Sequence, residues 1–154
     1  MGINMSNTYT KIYIHYVFST KHRHPMITVD LEENVWSYLG GIAQGHQMIP
    51  IITGGAADHV HSLVVISPTI SISKGVQLLK GGSSKWLNDT HFPDRTFKWQ
   101  KGFGAFSVSE SKVPAVTKYI KNQKEHHSKQ SFKEEYLGFL REYNIEYDER
   151  YVFD

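Results

Sequence analysis

Apolar residues along the chain fall into four runs that predict β-strands. The first covers residues 10–20 (TKIYIHYVFST), where β-branched and aromatic residues are typical of a buried strand. Further runs predict strands over 47–55, 59–67 and 104–111, and the first two of these are close enough to form a hairpin. Pro50 cannot donate a ladder hydrogen bond, so its strand is expected to lie at an edge or to carry a bulge.

Between the strands, apolar residues recur at the spacing of one helix face, which predicts amphipathic helices. The helical segments are residues 28–46, 71–89 and 112–127, with a short helix in the acidic, tyrosine-rich segment after residue 130. Gly81 and Gly82 are expected to weaken or kink the second helix. Pro114 suits the first turn of the third helix.

The order strand, helix, strand, strand, helix, strand, helix indicates an α+β fold, a ferredoxin-like sandwich built on the split βαβ pattern. We expect an antiparallel sheet with helices on one face and an added C-terminal helix that carries Tyr119. At 154 residues, the chain is expected to form a single domain, 1–154. Its core is predicted over about 10–128, with a C-terminal helix and tail over 129–154.

Composition and charge narrow the function classes. The chain has no cysteine, which excludes disulfides and thiolate metal sites. No signal peptide and no membrane-length apolar run is recognisable, so a cytoplasmic protein with no membrane partner is expected. Residues 74–133 hold twelve Lys or Arg and four Asp or Glu, a net charge of +8, whereas the remainder has a net charge of −6. This asymmetry favours a polyanionic partner, with a solvated helix face as the plain alternative.

Two histidines, His59 and His61, open the predicted strand over 59–67 (DHVHSLVV). Alternate residues of a strand point to one side and lie about 6.6 Å apart, so both imidazoles can reach one cation. The Asp58 side chain should point away from that side. Structural histidines at a strand end are an equally good interpretation of so short a motif.

Tyr119 and Gln123 lie four residues apart on the third predicted helix and therefore share a face. A tyrosine hydroxyl can attack phosphorus when a metal withdraws charge from the phosphate, and the Gln123 amide oxygen can serve as a third ligand. His126 returns to the same face and is the alternative ligand. Ordinary packing is the competing role for the tyrosine.

Basic and aromatic residues are interleaved in the middle of the chain, a combination that suits single-stranded nucleic acid. Many of these aromatics must also form core, and surface solubility explains exposed lysines nearly as well as DNA binding does. The residues expected to contact DNA are Lys21, Arg23, Lys85, Lys98, Lys101, Lys118 and Lys121.

Several stretches of the chain together resemble the single-tyrosine HUH transposases of insertion sequences. They are HYVFSTKHR, DHVHSLVV, ISKGVQLLKGGSSKWL, GAFSVS and YIKNQKEHH, and the resemblance spans about residues 10–151. It implies a ferredoxin-like fold, with His59, His61 and Gln123 as metal ligands and Tyr119 as the nucleophile. It also implies a magnesium or manganese ion, whereas imidazole ligands alone favour manganese or another transition ion.

Members of the resembled family are small homodimers that cut and rejoin single-stranded DNA. The resemblance therefore implies a transposase that acts at hairpin-marked element ends through a 5′-phosphotyrosine and needs no nucleotide cofactor. A twofold partner is expected to cover the apolar residues Val113, Val116 and Ile120, with the tyrosine of one subunit serving the histidines of the other. Two alternatives stay open. One is a domesticated relative acting on dispersed genomic palindromes, and the other is a non-catalytic, single-stranded nucleic-acid-binding domain of the same fold.

Overall fold

The computed structural model describes residues 7–153, which form four strands and five helices joined by short connections. The strands are β1 Ile12–Ser19, β2 Met48–Ala56, β3 His59–Ile66 and β4 Gly104–Val108. The helices are α1 Val29–Gly45, α2 Ile72–Thr90, α3 Val113–Lys121, α4 Gln123–His127 and α5 Phe132–Glu142. Short 3-10 turns cover Lys21–Arg23 and Glu110–Lys112.

The strands form one antiparallel sheet in the order β2-β3-β1-β4. This order confirms the predicted α+β class and ferredoxin-like arrangement. Both expectations for Pro50 are also confirmed, because β2 is an edge strand and its register against β3 shifts between Pro50 and Ile52. Among residues 7–153, the helices are too short or too polar to cross a membrane.

Side chains of the central strand β1 alternate between two cores. Ile14, Tyr16 and Phe18 point toward the face covered by α1 and α2, where they are buried with residues such as Leu39 and Leu79. The intervening side chains point to the opposite face, which α3, α4 and α5 cover. The two ferredoxin-like helices thus lie on one face as predicted, and the later helices bury the other.

The kink expected at Gly81 and Gly82 is not found, because α2 runs unbroken from Ile72 to Thr90. A Cβ atom at Gly82 would lie 2.9 Å from Cδ1 of Ile42 on α1. The glycine therefore allows the two helices to approach closely. Ser71 caps the start of α2 by accepting a hydrogen bond from the Lys74 backbone N–H at 3.0 Å.

The helix predicted over 112–127 is in fact two helices, α3 and α4, separated at Asn122. Asn122 has φ −101° and ψ 28°, and asparagine has a low helix propensity. Tyr119 lies on α3, so the helix that carries it is followed by two more and is not the last in the chain.

The apolar face of α3 is covered by the protein's own sheet. Ile120 is buried against Tyr13 and Leu63, and Val113 and Val116 pack against the same cluster. The expectation that a partner subunit covers this face is therefore wrong, since the part of the sheet beneath α3 is apolar and buries it.

Close contact between α3 and β2 depends on a residue without a side chain. A Cβ atom at Gly54 would lie 2.7 Å from the backbone oxygen and 3.1 Å from Cγ2 of Ile120. Such contacts are too short to tolerate, so the helix can rest on the strand only where glycine stands. This contact sets the height of α3, and hence of Tyr119, above the sheet.

Gly54→Ala is expected to lower the free energy of unfolding by about 1–3 kcal/mol, because α3 must shift to admit the methyl group. Each kcal/mol corresponds to about 2–4 °C in Tm for a chain of this size, which thermal unfolding can measure. Gly41→Ala is the control: a Cβ there meets nothing within 4 Å, and alanine favours helix, so Tm should rise. Equal effects of the two substitutions would contradict the role assigned to Gly54.

Candidate metal and nucleophile site

The site begins with the two histidines of β3. His59 pairs with Ser19 and His61 pairs with Val17 in the β1 ladder. Strand alternation puts both imidazoles on the face covered by α3, α4 and α5. Both side chains are fully buried, so the sheet holds them in fixed positions.

Both imidazoles are oriented by a partner at Nδ1. His59 Nδ1 lies 2.7 Å from Oδ1 of Asp58, and His61 Nδ1 lies 2.8 Å from Nε2 of His15. In each case, Nε2 is left to face the space beneath the helices. Asp58 therefore lies behind its histidine, as the alternation predicted, and fixes the ring instead of contributing to the site.

The structure brings Tyr119 and Gln123 to the same two histidines. Gln123 is 1% exposed, and its Oε1 lies 2.8 Å from Nε2 of His59. The Gln123 amide nitrogen lies 3.4 Å from the backbone oxygen of Tyr119. The Tyr119 ring packs edge-on to the His61 ring, with centroids 5.8 Å apart.

A carboxylate from α5, Glu135, completes the cluster and was not anticipated from the sequence. Its side chain is 3% exposed. Oε1 accepts hydrogen bonds from Nε2 of His61 at 2.9 Å and of His127 at 3.2 Å. Oε2 accepts one from the Tyr119 hydroxyl and one from the Gln123 amide at 3.3 Å. Glu135 thus bridges the predicted nucleophile and the predicted metal ligands.

A signal for Glu135 is present in the sequence. Phe132, Tyr136 and Leu140 recur at helical spacing and form the buried stripe of α5, and Glu135 falls within that stripe. A glutamate is almost never fully buried unless it is paired. A charged residue on the apolar face of an amphipathic helix therefore marks this position.

His126 and His127 differ in position although they are neighbours. The His126 ring stacks on Tyr119 with centroids 4.5 Å apart, beside the cluster. His127 instead reaches Glu135, and its ring centroid lies 4.2 Å from that of His59. The structure therefore brings His127, and not the alternative ligand His126, to the other donor atoms.

The charges of the site follow from burial and hydrogen bonding. Burial acts to raise the pKa of Glu135, but hydrogen bonds from His127 and His61 hold it far below its usual range, so the carboxylate is ionised. Burial and the hydrogen bond to Glu135 raise the pKa of Tyr119 well above its usual value. Burial lowers the pKa of His61 and of His15. At neutral pH, the phenol is thus protonated and both of these imidazoles are neutral.

The donor set fits a divalent cation. One ligand atom from each of His59, His61, His127 and Glu135 lies within 4.8 Å of the others, and the Gln123 amide oxygen adjoins them. Neutral imidazoles with one carboxylate suit first-row transition ions such as manganese better than magnesium, which prefers oxygen ligands. Asp58 also orients the His59 ring so that its Nε2 points toward the other donor atoms.

A cavity of about 440 Å³ opens onto the site between α3 and α5. It is lined by residues including Tyr119, Glu135, Phe139 and Glu142. The histidines themselves are covered by α4 and α5. A ligand in this cavity would contact Tyr119 and Glu135, while His59 and His61 are fully buried.

The residues expected to contact DNA lie in several places. Lys21, Lys98 and Lys101 line one groove. Lys85 forms an ion pair with Asp89 at 2.7 Å. The others are Arg23, whose guanidinium lies over the Phe153 ring at 5.0 Å, and Lys118 and Lys121, which are exposed on α3.

Two insertion-sequence transposases resemble the chain in sequence. The transposases for insertion sequence element IS200 from Salmonella typhimurium and Salmonella typhi are each 28% identical over 128 residues. The aligned region covers 79% of this chain and 83% of each relative.

Two solved structures share the fold. A candidate transposase from Deinococcus radiodurans R1 has a TM-score of 0.63 at 23% identity and matches 79% of this chain and 98% of its own. A REP-associated tyrosine transposase bound to a REP hairpin has a TM-score of 0.58 at 10% identity and matches 82% of this chain and 74% of its own.

The family model for IS200-like transposases matches residues 8–123. This span includes His59, His61, Tyr119 and Gln123, which the fold brings together. Because the match covers well over half of the chain, the protein belongs to the IS200-like transposase family.

Proposed function

We propose that this protein is a metal-dependent transposase that cleaves and rejoins single-stranded DNA at hairpin-marked ends, with Tyr119 as the nucleophile. The observation that carries the proposal is the convergence of the Tyr119 hydroxyl and Gln123 with two buried histidines. Family membership supports DNA transposition. The fold shared with a protein bound to a REP hairpin supports a DNA hairpin as the partner.

His59, His61 and Gln123 would hold the cation, magnesium or manganese, with Glu135 and His127 as further donors in the same cluster. When bound, the cation would polarise a phosphate oxygen, neutralise charge developing on the phosphoryl group and offset the charge of Glu135. His15 and Asp58 would keep the two imidazoles oriented throughout.

Tyr119 would attack the scissile phosphorus in line with the leaving oxygen. A bond forms between the tyrosine oxygen and phosphorus, the bond from phosphorus to the 3′-oxygen breaks, and the phenol loses its proton while the released 3′-oxygen gains one. The products are a 5′-phosphotyrosine and a free 3′-hydroxyl. Glu135 orients the phenol by accepting its hydrogen bond and keeps it protonated in the resting site.

Rejoining reverses the same step on a different end. A second 3′-hydroxyl attacks the phosphotyrosine, restores a phosphodiester and returns the phenol. Because one ester is exchanged for another, the reaction conserves the bond and needs no nucleotide cofactor.

Tyr119→Phe should abolish the covalent protein–DNA adduct formed with a labelled single-stranded hairpin and Mn²⁺, because the attacking oxygen is missing. Chelator, or His59→Ala, should do the same to the intact tyrosine. Denaturing gel electrophoresis measures the adduct. Tyr143→Phe is the control, since Tyr143 lines the same cavity but donates to the Ser107 backbone oxygen. An adduct that persists in Tyr119→Phe or in chelator would exclude this mechanism.

Glu135→Gln should weaken Mn²⁺ binding about 10- to 100-fold, the range expected when a group supporting a metal site is lost. The substitution keeps the size of the side chain and removes its charge. Calorimetric titration with Mn²⁺ in the absence of DNA measures the affinity. Glu134→Gln is the matched control, because Glu134 is exposed and glutamine can preserve its capping box with Ser131. Equal affinities in the two variants would place Glu135 outside the metal site.

The homodimer implied by the family resemblance is part of the proposal, and the site is expected to act within each chain. A single chain already assembles the tyrosine, the glutamine and the histidines. A heterodimer of His61→Ala and Tyr119→Phe chains should therefore stay inactive in the adduct assay, because each site lacks one group. Revival of activity would show instead that the tyrosine of one subunit serves the histidines of the other.

A further inference from the structure

A groove of about 880 Å³ lies between α2 and the loop over residues 97–103 that leads into β4. Lys21, Lys98 and Lys101 line it, are exposed and form no ion pair within residues 7–153. Among residues 7–153, none of those that line the groove is acidic, and its walls also include Trp99 and Phe103. A concave surface with cations, aromatic rings and no carboxylate is complementary to a phosphate-bearing ligand with a planar ring.

The loop wall of the groove is held in shape before any ligand arrives. The Lys80 ammonium group donates hydrogen bonds to the backbone oxygens of Gln100, Lys101 and Gly102 at 2.6, 3.1 and 3.0 Å. Charge-assisted bonds of this kind are strong. Binding therefore need not order this loop, which lowers the entropic cost of association.

Gln100, which lines the groove, has an unused hydrogen-bond donor. The side chain is 3% exposed, and its Oε1 accepts a hydrogen bond from the Ser19 backbone N–H at 2.6 Å. Its Nε2 is the single buried side-chain nitrogen or oxygen that lacks a partner in the described part of the chain. A buried amide left unpaired costs about 1–3 kcal/mol, which an acceptor oxygen on a ligand would recover.

The groove adjoins the end of the sheet that carries the histidines. The Gln100 backbone N–H donates to the Ser19 backbone oxygen at 2.9 Å, and Ser19 pairs with His59 in the next strand. Two strand spacings separate Gln100 from His59, which is about 10 Å along the sheet. The groove opens on the α2 side of the sheet and the histidines face the opposite side, so a single strand that reaches both has to pass around this end of the sheet.

We infer that this groove seats one unpaired nucleotide of single-stranded DNA that extends from the candidate site. Its base lies against the aromatic wall, its phosphate faces Lys98 and Lys101, and Gln100 Nε2 donates to an oxygen of the base or of the phosphate. The inference rests on the proposed function, which supplies the DNA substrate.

The first test measures the affinity of the full chain for a fluorescein-labelled oligothymidylate by fluorescence anisotropy, with chelator present so that cleavage is not needed. Gln100→Glu keeps the acceptor for Ser19 and removes the donor, so it should weaken binding roughly 5- to 100-fold, the range of one lost base contact. Gln44→Glu makes the same charge change at an exposed position of α1 and should have little effect. Equal weakening by both would overturn the inference.

A charge-matched pair tests the lysines in the same assay. Lys98→Ala with Lys101→Ala should weaken binding more, and flatten its salt dependence more, than Lys74→Ala with Lys112→Ala, which removes the same charge from exposed sites outside the groove. Equal losses would show only general attraction to DNA and would count against a specific groove.

Modified oligothymidylates distinguish the two oxygens that Gln100 can bind. An abasic residue or an uncharged methylphosphonate link is placed at each position in turn. If Gln100 contacts the base, one abasic position should weaken wild-type binding more than it weakens binding by Gln100→Glu, in which only the contact with the aromatic wall remains to be lost. If it contacts the phosphate, one methylphosphonate position should behave in that way instead. Full additivity for both modifications at every position would refute the contact.

Photo-crosslinking of wild type provides a test that does not depend on a variant folding. An oligothymidylate carrying bromodeoxyuridine should crosslink to the peptide that contains residues 97–103, as read by mass spectrometry. Crosslinks confined to other peptides would exclude the groove. Groove binding without a Tyr119 adduct would contradict the proposed chemistry alone, whereas adduct formation without groove crosslinks would contradict this inference alone.

Discussion

The candidate site depends on one buried negative charge, that of Glu135. A carboxylate that is 3% exposed is costly to bury unless hydrogen bonds and opposite charge compensate it. His61, His127, Tyr119 and Gln123 provide that compensation from β3, α3 and α4. The same contacts that make the buried charge tolerable therefore dock α5 on the sheet, orient the phenol and fix one histidine. Loss of any one partner would disturb all three functions.

The sheet can support such a site because its two faces have different roles. Ile14, Tyr16 and Phe18 of β1 belong to a large, mainly apolar core beneath α1 and α2, which supplies stability through hydrophobic burial. On the opposite face, the same strand contributes His15, which orients His61. A polar cluster in the only core of a small domain would compete with hydrophobic burial. Here the polar cluster lies on strands that the apolar core on the opposite face of the sheet already holds in position.

Sequence reasoning located the parts of the site that local periodicity determines. Two-residue alternation puts His59 and His61 on one face, and four-residue spacing brings Gln123 back toward Tyr119 even though the helix breaks between them. Glu135 joins them only after α5 docks, an event decided by tertiary packing. Tertiary packing also decides what buries the apolar face of α3. The sequence does not show that the second face of the sheet is available for this until the strand order is known. A regular helix through Asn122 would bring His126 back to the face of Tyr119, whereas the break at Asn122 lets His127 reach Glu135.

The family match ends at residue 123, so it includes the predicted nucleophile and ligands but neither His127 nor Glu135. The residues that cover the site and balance its charge thus come from a segment outside that shared core.

The charge of Glu135 affects which other anions the buried site can hold. Glu135 and a substrate phosphate are both anions, and two anions in a buried site repel each other strongly. They can occupy it together only with a cation between them. Otherwise α5 must withdraw Glu135 as the phosphate enters, which would also release the Tyr119 hydroxyl from its present hydrogen bond. Under the proposed mechanism, the negative charge on α5 would in either case determine when a phosphate can approach Tyr119.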